Sequence, residues 1–197
     1  GTVFHSQRGT IDTNQKFSRL YFNAGLNWQI SDNSSAGFKM ERGVWLKNYF
    51  GVTMDEDILR NKETEDHFTS VSDINSKNPN TFLTNVYYNG KMGKWGIDAN
   101  IDYYTQRETK DDHISETSLL GLHNVDSRTE TTNHLVAARL VADHALWSGN
   151  IKLGGEVTYV NRDNDYAISG IDDISSRLSE VEEQNYALFA EYGLLVK

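Results

Sequence analysis

Between Leu20 and Ile30 every second residue is apolar, with Leu20, Phe22, Ala24, Leu26, Trp28 and Ile30 alternating against Tyr21, Asn23, Asn27 and Gln29. A period of two is what a pleated strand with one wetted face imposes. Phe38 and Met40 mark the apolar face of a second strand over 35–41, and Ser31-Asp32-Asn33-Ser34 between the two is a tight turn of self-capping side chains. The alternation returns in Phe82–Tyr104, two arms joined by Asn89-Gly90-Lys91-Met92-Gly93, which reads as a β-hairpin. In its second arm Ile97, Ala99, Ile101 and Tyr103 oppose Asp98, Asn100 and Asp102. Further strands follow over 135–143 with Val136, Ala138, Leu140 and Ala142, and over 151–162 with Ile151, Leu153, Val157 and Tyr159 against Lys152, Glu156 and Thr158. A last strand runs over 186–196 with Leu188, Ala190, Tyr192 and Leu194 on its apolar side.

Between these segments the pattern fades. Residues 1–15 read as a polar loop, and 108–132 and 163–183 as long acidic loops. Residues 43–80 read as a long excursion with its own hairpin: the β-prone pieces Trp45–Met54 and Phe68–Ile74 flank the acidic stretch 55–66, where a helical turn over 55–62 is the competing expectation. Connections therefore alternate, short at 31–34, 90–94 and 144–149 and long at 43–80, 108–132 and 163–183, which puts the short turns at one end of one sheet. The fold class is all-β, an antiparallel up-and-down meander. Short turns at one end and long loops at the other are the habit of a transmembrane β-barrel. Trp28, Trp95 and Trp147 fall at the short-turn end and Tyr21, Tyr103 and Tyr159 toward the other, the placement of two interfacial aromatic girdles.

Composition narrows the partners. The 197 residues suffice for one all-β domain, and a single proline, Pro79, with 15 scattered glycines leaves no visible linker or solenoid repeat. A net charge of −9 argues against nucleic acid, whose binders carry basic patches. No apolar run reaches the roughly 18 residues of a membrane helix, which says nothing of barrel strands of about 9–11 alternating residues. The absence of cysteine fits either a cell-envelope protein without disulfides or a reducing compartment.

The strings YYNGKMGKWGIDANIDY, LWSGNIKLGGEVTYVNRDNDY and NYALFAEY resemble the barrel of TonB-dependent outer-membrane receptors. That resemblance implies residence in the cell outer membrane, a nutrient-uptake role, lipid around the barrel and energy coupling through a plug domain. The ligand would be a small molecule or an oligosaccharide. Neither a plug nor an energy-coupling box is visible in the chain, the C-terminal Leu194-Leu195-Val196-Lys197 lacks the customary final aromatic, and seven main strands is odd for a single-chain barrel. Residues 1–197 are therefore expected to be one internal segment of a larger barrel.

Catalytic chemistry finds little footing. No nucleophile elbow, HExxH, P-loop or dinucleotide fingerprint occurs, and His5, His67, His113, His123, His134 and His144 are dispersed, so neither an enzyme nor a cofactor is expected. Asp111-Asp112-His113 is the nearest thing to a site and reads as a solvated loop. Asp163-Asn164-Asp165 with Asp172-Asp173 offers oxygen ligands for Ca²⁺ without the glycine and closing glutamate in register. Two functions stand: a receptor barrel, or a soluble extracellular β-sheet module binding glycan or protein through its loops. The receptor reading requires Asn23, Asn27, Asp98, Asn100, Asp102, Arg139 and Glu156 to face a watery lumen while the apolar faces meet lipid. The module reading would bury those apolar faces against a second sheet.

Overall fold

The computed structural model describes residues 5–171 and 174–194. Seven strands form one antiparallel sheet in sequence order: β1 (His5–Ser31), β2 (Ser34–Arg60), β3 (Glu63–Met92), β4 (Trp95–Ser118), β5 (Gly121–Leu146), β6 (Gly149–Ser169) and β7 (Arg177–Leu194). The turns between β1 and β2, β3 and β4, and β5 and β6 share one end, as the alternating connections require.

At the opposite end the expected long loops are not loops. The segments 43–80 and 108–132 are paired strand closing in two-residue turns at 61–62 and 119–120, and only 170–176 separates β6 from β7. Residues 5–15, read as loop, pair throughout with β2, from His5 against Arg60 to Gln15 against Phe50. The excursion over 43–80 does contain its own hairpin, and 55–60 is strand rather than helix. A growing ladder satisfies each new N–H and C=O whatever the side chains are, so polar threonine- and serine-rich sequence extends a hairpin without hydrophobic alternation to announce it. The Asn61-Lys62 turn has φ of 53° and 75°, the left-handed pair of a type I′ hairpin, with lysine where glycine is the usual signal.

Register defines two faces, because directly opposed residues project to the same side. One row crosses the whole sheet as Leu26, Phe38, Val86, Ile101, Ala138, Val157 and Tyr186. The next row toward the short turns is Trp28, Ala36, Tyr88, Ala99, Leu140, Gly155 and Leu188. This apolar belt has no second layer over it: Leu26 is 70% and Leu188 90% exposed, and Val125 and Val141 are the buried hydrophobic residues among those described. No described pairing joins β1 to β7, so both edges of the sheet are open.

Three irregularities lie at one level. Arg19 opposes Trp45 while Ser18 opposes Lys47, leaving Leu46 as an extra residue. The β2–β3 ladder lapses between the Val44–Asn80 and Tyr49–Asn75 pairs. The β3–β4 register slips between Lys77 and Asn80, where Pro79 has no N–H to donate. Beyond this level amphipathicity reverses. The face that carried the apolar belt now bears Lys16, Asp73, Asp111 and Asp126, while Phe17, Phe50, Val52, Ile114 and Ile168 lie on the other.

Candidate functional site

The face opposite the apolar belt carries the seven polar candidates. Asn27, Gly37, Tyr87, Asn100, Arg139 and Glu156 form a single row, so four of the candidates are neighbours across six strands. Asp98 and Asp102 lie in the rows on either side of Asn100, and Asn23 opposes Glu41 two rows further. Period two on β4 aligns Asp98, Asn100 and Asp102, and the ladder then selects what faces them.

Asn27, Asp98, Asn100 and Asp102 are held in hydrogen bonds, mostly to side chains of β3. The Asn85 Nδ2 donates to Asn100 Oδ1 and to Asp102 Oδ1, each at 2.7 Å, and Asn100 Nδ2 donates to Asp102 Oδ2 at 2.7 Å. Asn89 Nδ2 donates to Asp98 Oδ2 at 3.2 Å, and Tyr87 Oη to Asn27 Oδ1 at 3.0 Å. Lys39 pairs with Glu41, which also accepts the Tyr21 hydroxyl. The Tyr87 ring lies directly over Gly37, where a Cβ would have no room. Asn85, Tyr87, Asn89, Lys39 and Glu41 were not singled out from sequence. Their signal was present in the same alternation read across β3 and β2 once the hairpin register is known.

The aromatic candidates divide. Trp28, Trp95, Tyr103 and Tyr159 share the apolar face, with Tyr103, Val136 and Tyr159 in one row. Trp95 stacks on His144 with centroids 4.7 Å apart, and Trp147, in the β5–β6 turn with φ 53°, meets Tyr192 edge-on at 6.5 Å. Tyr21 lies on the polar face instead, because an odd position of β1 falls between the apolar even ones. From Trp95 to Tyr103 is eight steps of β4 (103 − 95), about 27 Å along the strand at ~3.4 Å per residue. That becomes about 20 Å of height at the tilt of roughly 40° usual in barrels.

The remaining clusters lie beyond the bulges. Asp111 and His113 share one face with Asp126 and Arg128, while Asp112 points to the other and accepts from Ser72 Oγ at 3.1 Å. His113 Nδ1 lies 2.5 Å from Asp126 Oδ1, and Asp111 pairs with Lys77 beside an open cavity of about 350 Å³. His67 contacts Asp57 through Nδ1 at 3.0 Å and Asp55 through Nε2 at 3.4 Å; the Asp57 hydrogen bond, then the Asp55 charge, raises its pKa above the ordinary histidine value. Of the calcium candidates, Asp163 and Asp165 point to one face and Asn164 to the other, while Asp172 and Asp173 lie outside the described residues, as do Leu195–Lys197. Among the described residues no three His, Cys, Asp or Glu are placed to hold a metal ion.

No family model matches the chain, and no curated protein does. Among solved structures it is similar to the ferric yersiniabactin uptake receptor FyuA from Yersinia pestis, at 11% identity and a TM-score of 0.38. The match covers 98% of this chain and 39% of that one.

Proposed function

We propose that this chain is a section of the barrel wall of a TonB-dependent outer-membrane receptor that takes up a nutrient. The observation that carries this reading is a sheet one layer thick with an uncovered apolar belt on one face and a bonded polar network on the other. A single sheet in water has no partner for such a belt. A bilayer supplies one, since barrel strands there place apolar side chains outward in a band about 25 Å tall and polar ones inward. The belt's height suits that band, and the reversal of amphipathicity at the bulges falls where lipid would give way to water. There the outer face becomes charged.

In this reading Asn23, Asn27, Asp98, Asn100, Asp102, Arg139 and Glu156 line the lumen. Trp28, Trp95, Trp147, Tyr103 and Tyr159 anchor the interfaces, and Tyr21 joins the lumen network rather than the girdle. The open edges of β1 and β7 would pair with flanking strands of a larger barrel, which would also hold the plug through which energy coupling acts. A soluble sandwich is disfavoured because no second apolar face covers the first. The test is insertion into lipid vesicles, scored by co-flotation and protease protection. Leu26→Arg and Ile101→Arg should each reduce insertion by about 2–4 kcal/mol, the penalty of a cation near mid-bilayer. Asn27→Asp, on the other face and still able to accept the Tyr87 hydroxyl, should insert as the parent does. Equal insertion of all three would overturn the reading.

A further inference from the structure

The lapse in the β2–β3 ladder opens a cavity of about 600 Å³ whose rim holds Lys16, Lys47 and Lys77 together with Tyr49, Asn75 and Leu46. Three lysines line this one cavity in a chain of net charge −9. Lys77 pairs with Asp111, Lys16 lies over the Tyr49 ring at 5.8 Å, and Lys47 has no anionic partner among the described residues. Lys16 lies on the same face as Leu20 of the apolar belt, four residues along β1 (20 − 16). That is about 13 Å along the strand, or about 10 Å of height at a tilt of roughly 40°, a headgroup's depth above the hydrocarbon. The extra residue Leu46, 63% exposed, gives the same place an apolar contact.

We propose that this cavity binds the phosphate of a membrane lipid headgroup, with Lys16, Lys47 and Lys77 as its cationic contacts and Leu46 against the acyl boundary. The proposal rests on the barrel-wall reading, which fixes the depth of the site. Compact, strongly hydrated lysines act as point charges on phosphate, and two or three around one cavity favour a doubly charged phosphomonoester over a singly charged phosphodiester. Occupation would leave Asp111 to Arg128, which it already approaches at 3.9 Å.

The full-length protein carrying this chain is reconstituted in phosphatidylcholine vesicles with and without phosphatidic acid, and retained lipid is measured by native mass spectrometry. Phosphatidic acid should be retained in preference to phosphatidylcholine and phosphatidylglycerol. Lys16→Gln, Lys47→Gln and Lys77→Gln should each weaken retention roughly fivefold, the fold-change equivalent to about 1 kcal/mol per cation near a membrane surface. Lys62→Gln, in the β2–β3 turn, should leave it unchanged. Normal flotation with no preference for phosphatidic acid overturns this inference and leaves the barrel reading standing, whereas failure to float with any lipid overturns both. Displacement of phosphatidic acid by equimolar inorganic phosphate would also overturn it, making the site one for a soluble phosphate.

Discussion

Tyr87 and Gly37 carry the polar face at its most crowded point. The ring fills the space a side chain at 37 would need, and its hydroxyl reaches Asn27 on the far side of the glycine. Gly37→Val should therefore destabilise the β1–β3 region by about 1–3 kcal/mol through overpacking. Tyr87→Ala in the same chain should recover most of that loss, a coupling visible as non-additive denaturation midpoints; additive losses would mean the two do not meet. His67 offers a second residue-scale test. Its folded pKa stands above the unfolded value near 6.5, so the stabilisation is fully present below that value and fades as pH rises through the folded pKa. Proton NMR titration should place His67 above 6.5, and Asp57→Asn should lower it. A value unmoved by Asp57→Asn would show that the carboxylate is not the cause.

At the scale of elements, the hairpins beyond the bulges are closed by turns with unusual chemistry. Lys62 holds φ at 75°, a conformation that glycine adopts freely and a side chain resists. Lys62→Gly should slow amide exchange across Arg60–Glu63 and add about 0.5–1 kcal/mol to the hairpin tip, the relieved left-handed cost outweighing glycine's extra freedom in the unfolded chain, while Lys62→Pro, locked near φ −65°, should fray it. Faster exchange in the glycine variant would mean that this turn is not populated in solution. These extensions explain why alternation read the lower strands well and the upper ones poorly. Leu20–Ile30 and Ile97–Tyr103 have one face without water-seeking groups, whereas 108–132 places polar residues on both faces and so loses the period.

For the whole molecule, open edges and an uncovered belt set the behaviour of the isolated chain. A contiguous apolar surface larger than a few hundred Å² is more than soluble monomers usually leave in water. Without detergent or lipid the chain should self-associate, and in detergent it should sediment with bound micelle mass, measured by analytical ultracentrifugation. A monodisperse monomer binding no detergent would remove the basis for a membrane-facing belt. The outer edges of β1 and β7, strands of 27 and 18 residues with no described partner on that side, give a second route to association by edge pairing.

The sequence by itself determined the all-β class, the short-turn end and the membership of the two faces near Leu26 and Asn100, since period two along a strand is a local property that neighbours do not alter. Only the tertiary structure decided the rest. Pairing brought Asn85 to Asp102 and Tyr87 to Asn27, and it turned the presumed long loops into paired strand. The bulge level where lysines gather was likewise settled by register. Each of these depends on which residue of one strand stands opposite which residue of the next, a relation between distant segments that no local pattern records.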